Sequence, residues 1–260
     1  MFTDYHTHTV FCDGENTPEE MIQAAIERGL AAIGFSGHSY TFFDESYCMT
    51  PAKTAAFRTE ILRLKEAYSG RIRVLLGLEQ DYEASLPEEP YDYLIGSVHY
   101  VKAGGAYIPV DDGEHLVLAG TKAYFDDDIY AFIEAYYAAV ARVKTRTNCD
   151  IVGHFDLITK DNGDGHEFDK THPRYVNAWR KAANRLLDED AVFEINTAPL
   201  YRGFRKEPYP SLAILSYLGK RHARVVLSSD SHRTASLAFG FAEWREKAKA
   251  LGLTVVDELI

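Results

Sequence analysis

Histidines and carboxylates that could hold a metal ion recur along this chain at the ends of short apolar runs. His6 and His8 are two residues apart. In an extended segment that spacing puts both imidazoles on one side, and paired neutral imidazoles suit a zinc-type ion. An isolated HxH pair is common by chance, but here the pattern continues. His38 follows the run Ala31–Ser36, Glu79 closes Val74–Glu79, and His99 follows Tyr93–Val98. His154 closes Ile151–His154, and Asp230 with His232 follows Val225–Ser229. A carboxylate at the end of VLLGLE is costly to bury unless it is paired or metal-bound, and Glu79 could bridge two cations. Asp13, in FCDG, is a further candidate ligand, although Asp before Gly14 also reads as a turn. Asp156, in GHFD, is expected either to orient His154 or to cap the loop that follows. His115, His166, His172 and His222 fall in loops or helices and read as solvated.

The candidate ligands are therefore His6, His8, Asp13, His38, Glu79, His99, His154, Asp230 and His232. One ion takes about four protein ligands, so this set implies two or three divalent ions. Their charge would exceed that of the three carboxylates and leave a cationic pocket. Such a pocket calls for an anion, and a small phosphate ester is the natural substrate. The expected chemistry is in-line attack of an activated water on phosphorus, with no Ser or Cys nucleophile. Glu79, Asp230 and His232 are the expected catalytic residues, with Asp230 or a nearby histidine relaying the proton. Arg202 and Arg205, after the FEIN run, and Lys160, after DIVGHFDLIT, are expected to grip phosphate oxygens. Tyr40, Phe42 and Phe43 could line the leaving-group pocket.

These residues need a scaffold that brings strand ends together. The runs above, with Phe2–His6 and Val192–Asn196, make seven strand candidates rich in Val, Ile, Leu and Phe, as parallel strands buried on both faces require. Helical patterns alternate with them. Thr17-Pro18-Glu19-Glu20 has a Thr cap, Pro at the first helical position and Glu three residues after the cap, and Gly29 ends the helix. Further helices are expected from Thr50-Pro51 to about Tyr68, and over Phe125–Lys144, Pro173–Asp188, Ser211–Lys220 and Ala235–Leu251. Seven strand–helix units in 260 residues predict one domain, an α/β barrel of (β/α)7 type with its metal site at the C-terminal strand ends. The connections Tyr40–Tyr47, Lys102–Tyr124 and Thr159–Lys170 would all lie on that rim.

Composition is consistent with this: 46% hydrophobic and 26% charged residues suit a globular core. The net charge of -11 without a Lys/Arg block argues against a nucleic-acid surface. No run approaches the ~18 apolar residues of a membrane span, and MFTDYHTHTV has no signal-peptide pattern. Cys12, Cys48 and Cys149 form no CxxC pair, which points to a cytoplasmic setting.

Taken together, HTH near the N-terminus, GHS with His38, GLE with Glu79, SVH with His99, GH with His154 and SSDSH with Asp230 and His232 resemble the polymerase and histidinol phosphatase (PHP) family. The resemblance runs from residue 2 to about 241 and implies a distorted (β/α)7 barrel with a trinuclear Zn, Mn or Fe site. It also implies the distribution of ligands. His6, His8, Glu79 and Asp230 would hold one ion; Glu79 would bridge to a second, held also by His99 and His154; Asp13, His38 and His232 would hold the third. Many members place the ligand equivalent to Asp13 one residue on, where this chain has Gly14. Within the family, DYHTHTVFCDG, IGSVHYV, DIVGHFDLITK and FEINTAPLYRGFRKEPYPS are most similar to the monofunctional histidinol-phosphate phosphatases. The alternatives are another phosphoesterase of the family, acting on nucleotides or phosphotyrosine, an amidohydrolase-type barrel, or a non-catalytic module. An amidohydrolase does not predict Glu79, His99, His154 and SSDSH together. A non-catalytic module would be expected to have lost ligands.

Overall fold

The computed structural model describes residues 2–162, 165–203 and 205–259. In chain order the elements are β1 (Thr3–Asp4), α1 (Pro18–Glu27), β2 (Ala32–Phe35), α2 (Pro51–Ala67), β3 (Arg73–Asp81) and β4 (Tyr93–Ser97). A hairpin follows, β5 (Tyr100–Ala103) and β6 (Ala106–Pro109), then α3 (Glu114–Tyr124), α4 (Ile129–Val140), α5 (Val143–Thr147) and β7 (Ile151–Val152). The chain ends with α6 (Pro173–Asp188), β8 (Val192–Asn196), α7 (Ala198–Arg202), α8 (Leu212–Gly219), β9 (Arg224–Ser228), α9 (Phe241–Ala250) and β10 (Thr254–Val255).

Eight strands form one parallel sheet in the order β1-β2-β3-β4-β7-β8-β9-β10. The curled sheet closes at its C-terminal end, where Thr7 bridges Ser231 in parallel. His8 N donates to the Ser231 carbonyl at 2.8 Å, and Ser231 N to that of His6 at 3.2 Å. At the other end β10 pairs with the start of β9, Thr254 opposite Arg224. The barrel thus has the seven expected strands, with a short eighth strand beside the last of them.

Alternate residues of a strand face the same way, and that parity explains the interior. Ala32, Leu75, Tyr93, Ile95, Val192 and Val226 form an apolar layer with Tyr5 and Ile151. Gly34 and Gly77 make room for the Tyr93 ring: a Cβ on either would lie 2.1–2.2 Å from its atoms. The Tyr93 hydroxyl donates to the Tyr5 carbonyl. Further along the same parity come Ser36 and His38, Glu79, Ser97 and His99, Glu194 and Asn196, then Ser228 and Asp230. Strands β2, β3, β4, β8 and β9 therefore pass from apolar to polar toward their C-terminal ends. Helices cover the outside through two further cores, one around α1, α2 and β3 and one around α4, α6, α8 and β9.

Local chemistry sets the helix ends. Thr17 and Glu20 form the expected capping box, and Thr50 accepts from Lys53 N at 3.4 Å. The expected helix over Phe125–Lys144 is instead α4 and α5. Asp126 and Asp127 take left-handed φ values of 52° and 61°, and Asp128 caps Tyr130 and Ala131. The final helix starts at Phe241 rather than Ala235, behind a 3-10 turn over Thr234–Ser236. The connection Lys102–Tyr124 contains most of the β5–β6 hairpin and α3. Gly104-Gly105, at φ 56° and 88°, is the tight turn between the two strands. Among the described residues no helix is long and apolar enough to cross a membrane.

Candidate metal centre

All nine candidate ligands converge where the strands end, with Glu79 at the centre. One of its oxygens, Oε2, lies 2.8 Å from His38 Nδ1, 3.2 Å from His6 Nε2 and 3.6 Å from His8 Nε2. The other, Oε1, lies 2.9 Å from His154 Nε2 and 3.3 Å from His99 Nε2. One carboxylate thus faces two groups of imidazoles, as a bridging ligand must. Asp230 Oδ1 is 3.1 Å from His8 Nε2, 3.7 Å from His6 Nε2 and 3.6 Å from His232 Nδ1. Asp13 Oδ2 is 3.1 Å from His232 Nε2 and 3.6 Å from His38 Nε2. Two tetrahedral ligands about 2 Å from one ion sit roughly 3.3 Å apart, and these separations bracket that value.

Three groups have donor atoms close enough to share an ion: His6, His8 and Glu79; His38, Glu79 and His99; and His8, Asp13, His38 and His232. The fit to metal has a second support. His6 Nε2, His8 Nε2 and Glu79 Oε2 are buried without hydrogen-bond partners, an arrangement that is costly unless a cation satisfies them. These donors are imidazole nitrogens and carboxylate oxygens, the set that zinc, manganese and iron accept.

The electrostatics follow from the same geometry. Burial favours neutral Glu79, but His38, His6 and His99 outweigh it and hold the carboxyl well below its usual range. Burial likewise opposes charge on His99, yet Glu79 and Asp81 push its pKa up to about 10. Burial opposes charge on His38 too, but Glu79 and Asp13 raise it well above the ordinary imidazole value. His8 goes the other way: burial, then the neighbouring His232 and His38, lowers it to about 3. Without metal, protons on some imidazoles balance the buried carboxylates.

A cavity of about 230 Å³ opens onto this cluster. Arg202 and Lys160 line it. Arg202 sits on α7, a short helix absent from the sequence expectations, with Nη2 3.2 Å from His232 Nδ1. The Lys160 ammonium donates to the Asp111 carbonyl at 2.7 Å. Arg205 is placed differently. It donates to Thr159 Oγ1 at 2.8 Å, stacks 4.4 Å above the Tyr209 ring and does not line the cavity. Tyr40, Phe42 and Phe43 do not line it either. Phe43 instead stacks on Tyr107 of the hairpin at 3.7 Å, while Tyr47 and Tyr100 provide the aromatic wall. Asp156 does not orient His154: its Oδ2 accepts from Ser211 N at 3.0 Å.

Three supporting residues escape a reading of strand ends alone. Glu194 accepts from the His6 ring and from His154 N, both at 2.6 Å. Asp81 Oδ2 lies 3.1 Å from His99 Nδ1. Asn196 bridges Glu194 and Asp230 at 3.2 and 3.1 Å. The signal for Glu194 was present, since a carboxylate inside VFEIN carries the same burial cost as Glu79.

Comparison with known proteins adds four likenesses. The family described as PHP domain matches residues 4–198. A Deinococcus radiodurans protein named "Probable histidinol-phosphatase" is 29% identical over 96% of this chain and 93% of its own length. The Bacillus subtilis protein named "Histidinol-phosphatase" is 24% identical over 94% and 98% respectively. Among solved structures, the histidinol phosphate phosphatase of Lactococcus lactis, complexed with zinc, L-histidinol and phosphate, superposes with a TM-score of 0.73. It is 22% identical, over 98% of this chain and 95% of that one.

Proposed function

This chain belongs to the PHP family, and from that premise we propose that it is a metal-dependent phosphomonoesterase converting L-histidinol phosphate and water to L-histidinol and phosphate. The observation that carries the reading is Glu79, fully buried between two groups of imidazoles at the floor of the cavity. Two or three divalent ions (zinc, manganese or iron) fit that donor set. When bound, they supply Lewis-acid activation of phosphate and water.

The protein's own groups have separable tasks. Glu79, His6, His8 and Asp230 would hold one ion, Glu79, His99 and His154 a second, and Asp13, His38 and His232 a third. Arg202 would donate to non-bridging phosphate oxygens, and Lys160, from the loop after the neighbouring strand β7, would supply a second cation. Asp230 and His232 line the cavity side by side, 3.6 Å apart. They can take the proton of the attacking water and return one to the leaving alcohol. At about 230 Å³ the cavity lies just below the ~300 Å³ at which ligand sites usually begin, which suits a small ester.

The cavity wall also discriminates among phosphate esters. Asp44, Asp111 and Asp112 line it. Their carboxylates favour a leaving group that carries an amine or imidazole and oppose one with further phosphates. That favours histidinol phosphate over a nucleotide. A cytoplasmic setting accords with free Cys12, Cys48 and Cys149. The test is phosphate release by the metal-loaded protein from a panel of monoesters. Histidinol phosphate should give the highest kcat/KM; a nucleotide or phosphotyrosine preferred over it would overturn the substrate assignment.

A further inference from the structure

Glu194 lies one layer below the metal ligands, fully buried, on the inward face of β8. A carboxylate only accepts hydrogen bonds, so its partners must donate. Oε1 accepts from His6 Nδ1 at 2.6 Å and from Ser228 Oγ at 2.5 Å. Oε2 accepts from His154 N at 2.6 Å and from Asn196 Nδ2 at 3.2 Å. The Asn196 amide also donates to Asp230 Oδ2 at 3.1 Å. Through these contacts one carboxylate reaches the ligand-bearing ends of β1, β7 and β9.

We infer that Glu194, with Asn196, is the positioning residue of the metal centre: it holds His6 in the tautomer whose Nε2 lone pair faces Glu79 and Asp230. This rests on the metal-site reading above, but not on the identity of the substrate. With its Nδ1–H donating to Glu194, the neutral His6 ring carries its lone pair on Nε2, 3.2 Å from Glu79 Oε2. A carboxylate behind a ligating imidazole also strengthens it as a donor and fixes its ring. Meanwhile the bonds to His154 N and, through Asn196, to Asp230 set the spacing of ligands on three strands. A glutamine cannot reproduce this. Its amide must turn a donor toward either His154 N–H or His6 Nδ1, and in the second case it forces the proton onto Nε2, where it blocks the metal.

The test is zinc affinity of Glu194→Gln, measured by competition with a chromophoric chelator, with circular dichroism as the check on folding. The expected result is a ten- to hundredfold loss of affinity in a folded chain, with phosphate release restored toward the wild-type kcat at high zinc. A purely structural role would lower stability and leave the zinc affinity of the folded fraction unchanged, which would overturn the inference. If E194Q does not fold, Asn196→Ala reports on the same arrangement, because it keeps the carboxylate but severs its tie to Asp230. A loss of about tenfold is then expected, and unchanged affinity again overturns the inference. Failure of the unaltered chain to take up zinc would instead overturn the metal-site reading together with this one.

Discussion

At the scale of single residues, the chemistry is concentrated in side chains that no apolar barrel would bury without a cation. Every histidine expected at a strand end is in the cluster, and so is Asp13 despite its one-residue offset, 3.1 Å from His232. Arg202 carries a specific expectation. It reaches the cavity beside His232 and otherwise decorates α7. Replacing Arg202 with alanine should lower kcat/KM for histidinol phosphate by roughly 10- to 100-fold, the worth of a charged hydrogen bond to phosphate. Fold and metal content should be unaffected. Steady-state kinetics check this, and an unchanged kcat/KM would return Arg202 to the surface. The candidate ligands were legible in the sequence because a strand end announces itself as an apolar run followed by a polar residue. Glu194 was legible only as a carboxylate that is costly to bury inside such a run; that it faces the site follows from the inward parity of β8. Arg205 follows the same strand as Arg202, yet the chain carries it to Thr159 and Tyr209, and spacing alone cannot distinguish the two.

At the scale of elements, the parallel strands were legible from their Val, Ile and Leu content and the first two helices from their caps. The β5–β6 hairpin was hidden in what reads as a long connection. Its signal is a Gly104-Gly105 turn between two four-residue strands, a weak one beside the strong runs of the barrel. The hairpin matters because its Tyr107 stacks on Phe43 and joins two rim loops into one wall. Below the rim, Tyr93 fills the barrel against Gly34 and Gly77, both of which admit no side chain. A Gly77→Ala substitution should cost about 1–3 kcal/mol by overpacking and lower activity by shifting Glu79, two residues along the same face. Thermal denaturation checks the first effect. An unchanged melting temperature would mean that the Tyr93 ring can move aside.

For the whole molecule, the balance of charge links metal, protons and stability. In the metal-free chain Glu79 and Asp81 raise His99 to about 10, against about 6.5 in an unfolded chain. A raised imidazole pKa stabilises the fold fully below the unfolded value, and that contribution fades as pH rises through about 10. The metal-free protein should therefore lose stability between pH 7 and pH 10. Metal must displace these protons, because the ligating imidazoles are neutral. Zinc binding at pH 7.5 should release protons, seen by calorimetry as a heat that varies with the ionisation enthalpy of the buffer. A buffer-independent heat would contradict the proposed ligand set. The closure of the barrel between Thr7 and Ser231, next to His6, His8 and His232, couples the site to the fold. That contact was not legible from local pattern, since it joins residues at the two ends of the chain.

The proposal that Glu79 bridges ions needed for phosphate-ester hydrolysis is open to direct measurement. It is tested most directly by titrating metal into the chelator-stripped protein and its Glu79→Gln variant while measuring phosphate release from histidinol phosphate. The stripped protein should be inactive, and activity should return with two or three equivalents of metal. Glu79→Gln should bind fewer ions and lose at least about a hundredfold in turnover. Full activity in the stripped protein, or in Glu79→Gln with its metal content reduced, would contradict it.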